Sequence, residues 1–292
     1  MRFATIEIGA RPRVVLLTED NAAYWHIEEC LPGFEGDMID LITKLPDPTG
    51  IQRVGRPKPL NGGRILAPIT APRRNLFCVG KNYREHAKEF SGSGFDAASA
   101  PAEVIPPAPS FFTKPASAIV GHGEPVLSHP KATNQIDYEA ELAVVIGKKG
   151  RRIQKSDAYK HVWGYTIVND VTARDLQKAA RQWFLGKSLD TFCPMGPCIV
   201  TSDEIDPENL YVRTWINGEL RQEGNTKDLI FDIPSLIERL SAGMTLCPGD
   251  VIATGTPAGV GSATGTYLKP GDIVRATILP IGTLENPVEA EG

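Results

Sequence analysis

The sequence predicts an α+β chain that is predominantly β. Three observations carry this reading. Short runs rich in β-branched and aromatic residues recur between glycine, proline, asparagine and aspartate turns. Asn217-Gly218 separates two such runs, and Asn-Gly supplies the positive φ angles of a two-residue hairpin turn. The pattern apolar-x-Pro-Gly-Asp-apolar-apolar occurs at residues 246–252 and again at 268–274, each a tight turn feeding a strand. This is duplicated turn chemistry, not a duplicated domain.

Taken in order, residues 1–70 hold strand-like runs at Arg2–Ile8, Val14–Thr18 and Ala22–Ile27. A helix near Asp37–Lys44 and a Pro/Gly-containing connection from Leu45 to Asn61 follow. These residues predict a small N-terminal α+β domain without chemical motifs, leaving 71–292 as the catalytic domain. Phe77–Gly80 reads as a strand that passes through a glycine turn into a helical stretch ending near Phe90. Ser91–Pro109 is rich in Ser, Gly, Ala and Pro, and loops this long inside a compact domain are usually functional or disordered. Because it follows His86 and Glu89, residues 91–109 are expected to form a lid; an inert surface insertion is the alternative.

Asp137–Gly147 and Trp163–Asp170 read as two further strands. Thr172 and Asp175 form an acidic version of the capping box, opening a helix through Gln177, Lys178 and Ala179. Strands at Cys198–Thr201, Tyr211–Ile216, Val251–Thr254 and Ile273–Leu279 follow, with one helix, Ile233–Ser241, carrying Pro234 in its first turn.

Chemistry concentrates at three places. Glu139 and Glu141 are i and i+2 at the start of an apolar strand, so they project from one face. Two like charges at the rim of a buried strand are costly unless a cation lies between them, and a hard divalent metal suits carboxylate oxygens. An isolated Glu-x-Glu is also what a solvated strand face carries. Asp170 sits at a strand-to-helix junction, where it is either a ligand or a capping residue. His86 and Glu89 are i and i+3 on one helix face, and a carboxylate beside an imidazole raises its basicity for general-base work. An ordinary surface pair has the same spacing.

Five segments together resemble the fumarylacetoacetate hydrolase family. They are Cys78-Val79-Gly80-Lys81-Asn82-Tyr83-x-x-His86, Tyr138–Leu142, Asn169-Asp170-Val171-Thr172-Ala173-Arg174-Asp175-x-Gln177, Gly186-Lys187-Ser188-x-Asp190 and Gly255-Thr256-Pro257-x-Gly259-Val260-Gly261. They occur in that family's order over residues 72 to 288. The resemblance implies a mixed β-sandwich roll, usually a homodimer, with a Mg²⁺- or Mn²⁺-dependent site acting on 2-oxo or 1,3-dicarbonyl acids. It implies Glu139, Glu141 and Asp170 as metal ligands, and His86 with Glu89 as the water-activating dyad. Lys187 is implied as a catalytic charge, and Arg174, Gln177 and Thr256 as substrate contacts.

Composition limits the other classes. With 31 Lys+Arg against 35 Asp+Glu, the net charge of −4 gives no case for nucleic acid or an anionic membrane surface. No apolar run approaches a membrane span, and the N-terminus lacks a signal-peptide pattern. The five cysteines include no Cys-x-x-Cys pair and read as reduced thiols, so a cytoplasmic protein is expected. Gly186-Lys187-Ser188 is not a phosphate loop, because position 181 is Arg181 and not glycine. No Gly-x-Ser-x-Gly elbow appears. The other histidines sit in no ligand-like spacing.

A divalent ion on three carboxylates keeps positions open for a chelating 2-oxo acid and stabilises charge on its 2-oxygen. Water attack then gives acylpyruvate hydrolysis, loss of carbon dioxide gives decarboxylation, and proton movement gives isomerisation. The pair His86 and Glu89 favours hydrolysis. The expected substrate is a 2,4-dioxo acid such as fumarylpyruvate or maleylpyruvate, from aromatic-compound catabolism. The alternatives are a decarboxylase or isomerase of oxaloacetate or of a 5-oxopent-3-ene-1,2,5-tricarboxylate, and a non-catalytic small-acid binding protein.

Overall fold

The computed structural model describes residues 1–91, 105–179 and 182–291. Two β-layers dominate, as expected for an α+β, predominantly β chain. Twelve strands among the described residues form one large sheet. Its central path runs Arg2–Ile8, Cys193–Thr201, Val162–Asn169, Ala140–Ile146, Val251–Ala253, Leu76–Gly80 and Ser110–Lys114. A second sheet of five strands carries the Tyr211–Ile216 and Glu219–Asn225 hairpin beside Ile273–Ile278 and Gly282–Glu289.

The Ala140–Ile146 strand is the axis of the molecule. Every residue in it is buried. Leu142, Val144 and Ile146 enter one hydrophobic cluster, while Ala143 and Val145 enter the other, as the two-residue period of a strand requires. Its continuous apolar run therefore reflects a strand covered on both faces. It pairs antiparallel with Val162–Asn169 in a register that sets Ala140 opposite Asn169. That register brings Asp170 next to Glu139, and the Asp170 amide donates to the Glu139 carbonyl at 2.8 Å. Leu76–Gly80 runs parallel to Val251–Ala253, so the segments after Gly80 and after Ala253 leave the sheet at that same end.

Several local expectations hold. The helix Met38–Lys44 starts at Asp37, whose carboxylate exchanges a capping box with Asp40. The helix Ile233–Ser241 starts on an Asp232 cap with Pro234 in its first turn. Asn217 and Gly218 both have positive φ, 51° and 85°, between strands paired Ile216 to Glu219. In the two Pro-Gly-Asp turns, Asp250 accepts from the Cys247 amide and Asp272 from the Lys269 amide, so the repeated sequence makes one repeated hydrogen bond.

Other expectations are corrected. Thr172 and Asp175 do not make a capping box. The Thr172 hydroxyl donates to the Asp170 carbonyl, and Asp175 accepts from the Thr133 hydroxyl and the Asn134 amide. Thr172–Ala173 is instead a short strand against Ile136–Asp137, and the helix begins at Arg174. Residues 1–70 also make contacts with the later chain. Arg2–Ile8 joins the large sheet through Cys193–Thr201, Phe3 packs on Trp163 at 5.0 Å, and the Trp163 indole donates to the Leu45 carbonyl. The expected lid, residues 91–109, falls for the most part on 92–104, which lie outside the described residues.

The shared core has a testable consequence. Phe3→Ala deletes a fully buried ring from the junction and is expected to cost about 3–5 kcal/mol. Urea unfolding followed by near-UV and far-UV signals should show one transition, displaced as a whole. A separate early transition with an unmoved main one would mean that residues 1–70 fold as an independent unit.

Candidate metal centre

Glu139, Glu141 and Asp170 meet at the end of the large sheet, with one carboxylate oxygen from each within 4.8 Å of the others. All three are buried. Buried carboxylates are costly unless cations or hydrogen-bond donors compensate them. Here the compensation is uneven. Lys187 Nζ lies 2.7 Å from both Glu139 Oε2 and Asp170 Oδ2, and Arg174 Nη2 donates to Glu139 Oε1 at 2.6 Å. Lys114, fully buried, lies 2.7 Å from Asp170 Oδ1 and donates to the Val171 carbonyl. Glu141 receives only the Gly255 amide, at 2.7 Å, and among the described residues no cation is in ion-pair contact with it.

The electrostatics follow that asymmetry. Burial alone would raise the Glu139 carboxyl, but Lys187 and Arg174 hold it down to about 2. The Glu141 carboxyl is pushed well above the usual range by burial and by the neighbouring Asp170 and Glu139. Burial works against the Lys187 ammonium, yet Asp170 and Glu139 raise it overall. A hard divalent cation fits this donor set: the ligands are all carboxylate oxygens, Glu141 lacks a counter-charge, and Asp170 Oδ1 is buried without a hydrogen bond of good geometry.

The glycine-rich segment after the Val251–Ala253 strand serves the same cluster. Gly255 donates its amide to Glu141, Gly259 to both oxygens of Glu89, and Gly261 to Asp137. Side chains are excluded at these positions. A Cβ on Gly259 would lie 2.0 Å from the Arg221 carbonyl oxygen, and one on Gly261 would lie 2.3 Å from that of Thr266. Asp137, absent from the sequence expectations, fixes Arg174 through Nε at 2.8 Å. Its signal was visible, since Asp137, Glu139 and Glu141 share one strand parity. Lys114 was also missed. A lysine closing the apolar run Phe111-Phe112 was its only trace, and lysine is almost never fully buried without a partner.

A cavity with about 300 Å³ of empty space, part of it open solvent, gives onto Glu139 and Glu141. His86, Gln177, Lys187 and Thr256 line it, and Phe90, Phe112 and Trp183 form its aromatic wall. His86 is buried, with Nδ1 3.6 Å from Glu89 Oε2, beyond hydrogen-bond length, and among the described residues Nδ1 has no hydrogen-bond partner. Gln177 gives its carbonyl oxygen to Arg174 Nη1 at 3.0 Å, which leaves its amide nitrogen for a ligand. The Thr256 hydroxyl donates to the Ala140 carbonyl and accepts from Gln222, so towards a ligand it can act only as an acceptor. Arg174 is fully buried between Asp137 and Glu139 and is not among the residues that line the cavity.

The comparisons with known proteins agree with this geometry. Residues 75–289 match the family model described as fumarylacetoacetate (FAA) hydrolase, C-terminal. The chain belongs to the fumarylacetoacetate hydrolase family. It is 56% identical over 228 residues to oxaloacetate tautomerase YisK of Bacillus subtilis, covering 77% of this chain and 73% of that protein. It is 46% identical over 229 residues to the mitochondrial oxaloacetate tautomerase fahd2 of Xenopus laevis, covering 77% and 68%. Among solved structures, a fumarylacetoacetate hydrolase from Exiguobacterium antarcticum superposes with a TM-score of 0.83 at 41% identity over the whole of both chains. The family consists of enzymes, including hydrolases, isomerases and tautomerases. No described helix is long and apolar enough to cross a membrane.

Glu141→Gln separates stability from ligand binding. Removing the least compensated buried charge should stabilise the metal-free protein by about 0.5–2 kcal/mol, while Mn²⁺ affinity falls at least tenfold. Thermal unfolding with chelator and calorimetric titration with Mn²⁺ read the two effects. Because the Glu141 carboxyl is raised in the folded state, its contribution to metal-free stability is present in acid and lost as pH rises. Mn²⁺ affinity should therefore rise with pH and release a proton, and in Glu141→Gln this pH dependence should shrink.

Proposed function

We propose that this protein interconverts the keto and enol forms of oxaloacetate or a closely similar 2-oxo acid, with Mg²⁺ or Mn²⁺ held by Glu139, Glu141 and Asp170. The observation that carries this reading is the His86 imidazole. It lines the same cavity as Glu139 and Glu141, and among the described residues its buried Nδ1 has no hydrogen-bond partner. Such a group can take a proton from the carbon beside the 2-oxo group and return one to the oxygen. The bound cation would supply Lewis-acid stabilisation of the negative charge that develops on that oxygen.

The chain's own groups do the rest. Lys187 holds the Glu139 and Asp170 carboxylates in one orientation and adds positive charge at the reacting end. The Gln177 amide nitrogen donates to a carboxylate or carbonyl oxygen of the substrate. The aromatic wall excludes water, which strengthens each of these interactions. The names and high identities of the two tautomerase relatives support the same chemistry.

Hydrolysis of an acylpyruvate is the second reading. It is favoured by Glu89, which faces His86 and is anchored by the Gly259 amide, as a dyad that activates water would be. The hydrolase name of the Exiguobacterium structure supports it too. One experiment separates the readings. Purified protein with Mg²⁺ is offered freshly dissolved enol-oxaloacetate and, separately, fumarylpyruvate and maleylpyruvate. Faster decay of the enol absorbance, without pyruvate or carbon dioxide, is the expected result. Pyruvate release from an acylpyruvate at a higher kcat/KM would replace tautomerisation by hydrolysis, and carbon dioxide from oxaloacetate would replace it by decarboxylation. In His86→Ala the kcat should fall about 10²–10⁴-fold, with oxalate affinity unchanged.

A further inference from the structure

A groove that shares no lining residue with the cavity above runs beside the short helical segment Lys155–His161 and the chain that follows the strand Cys193–Thr201. Two adjoining cavities form it, with about 570 Å³ and about 550 Å³ of empty space, part of it open solvent. Tyr159, Pro207 and Glu208 line both. Tyr165, Asp203 and Asp206 add to the first, and Lys227 and Asp232 to the second.

The charge of this groove is one-sided. Asp232 is paired with Lys155 at 2.8 Å. Among the described residues, no cation is in ion-pair contact with Asp203, Asp206 or Glu208. Glu208 accepts the Tyr159 hydroxyl at 2.9 Å, and Asp206 accepts the Glu208 amide at 3.1 Å. Exposed acidic residues alone are ordinary surface; Tyr165 sets this group apart. It is 1% exposed, and its ring belongs to the main hydrophobic cluster with Ile205 and Leu210. The residue nevertheless lines the groove, so its hydroxyl end is the part that faces it. That hydroxyl has no hydrogen-bond partner among the described residues, whereas a buried tyrosine hydroxyl usually finds one. Burial, then the Glu208 and Asp206 carboxylates, push the phenol up, so it stays neutral and its oxygen can accept.

These groups suit an organic cation better than a metal ion. Among the described residues, only Glu139, Glu141 and Asp170 bring three ligand oxygens within 4.8 Å of one another. Carboxylates spread more widely than that match several ammonium groups carried on one flexible chain. The phenol oxygen of Tyr165 accepts from an ammonium, and the partly exposed Tyr159 ring offers a π face and apolar contact to the chain.

We propose that this groove binds an alkyl polyammonium ion, with Tyr165, Asp206 and Glu208 receiving one ammonium group and Asp203 drawing another. The site is separate from the oxo-acid chemistry and stands whether or not that reading holds.

The test is calorimetric titration of the whole protein with spermidine in the presence of saturating Mg²⁺, which keeps the carboxylate cluster occupied. Saturable binding of one spermidine per chain is expected, much tighter than that of butylamine, which has a single ammonium group. Tyr165→Phe keeps the core ring, removes only the hydroxyl and should weaken spermidine about tenfold. Glu208→Gln, at an exposed position that tolerates exchange, should weaken it about three- to tenfold. Glu35→Gln removes the same charge from an exposed position outside the groove and should leave binding unchanged. Absence of saturable binding overturns the proposal. Equal weakening in Glu208→Gln and Glu35→Gln also overturns it, since attraction would then be to overall charge. Displacement of spermidine by an equal concentration of Ca²⁺ would replace the organic cation by a metal ion.

Discussion

Four carboxylates buried at one end of a sheet are the constraint on which this molecule is built. Asp137, Glu139, Glu141 and Asp170 are each 5% exposed or less. Left bare, each would be pushed towards its neutral form, and a neutral acid is a poor ligand for a hard cation. The surrounding structure is largely an arrangement for preventing this. Lys114, Lys187 and Arg174 arrive from three separate segments, and each makes at least one contact of 2.9 Å or shorter with this group. An isolated surface pair at such distances would contribute little. Inside the protein, removal of one partner would leave a buried charge uncompensated, a far larger penalty.

Backbone amides supply what side chains do not. The Gly255–Gly261 segment turns three amides towards Glu141, Glu89 and Asp137, and neighbouring atoms already occupy the space a Cβ would need. These glycines are therefore determined by proximity to carboxylates and to the Arg221 and Thr266 carbonyls, and not by any phosphate-binding role. Asp137 in turn fixes Arg174, Arg174 fixes Gln177 and Glu139, and Gln222 fixes Thr256. Orientation thus passes outward from the strand axis to the cavity wall, so groups facing a ligand are held by bonds made behind them.

Much of this was legible in the sequence because it obeys local rules. The β-branched and aromatic runs with the Asn-Gly and Pro-Gly-Asp turns gave the strands and their ends, and Asp37 and Pro234 marked two helix starts. Strand parity put Glu139 and Glu141 on one face and the family resemblance added Asp170, while the register that brings the three together, Ala140 against Asn169, is seen only in the fold. What was not legible depends on contacts distant in sequence. Lys114 reaches Asp170 across 56 positions, and Arg2–Ile8 finds its place in the large sheet against residues near 200. Thr172 and Asp175 had the spacing of a cap, but Thr172 bonds the Asp170 carbonyl two residues back and Asp175 is taken by the distant Thr133 and Asn134.

Charge balance links the centre to its ligand. With all four ionised, the carboxylates outnumber Lys114, Lys187 and Arg174 by one negative charge, and Glu141 is the carboxyl without a counter-charge. A monovalent ion would neutralise it; a divalent ion reverses it, leaving the buried cluster with one net positive charge. In a low-dielectric cavity an unmatched charge is penalised far more than in water, so an anionic occupant would offset it. The same balance accounts for the cost of the metal-free cluster: the site is electrostatically complete only when cation and anionic ligand are both present.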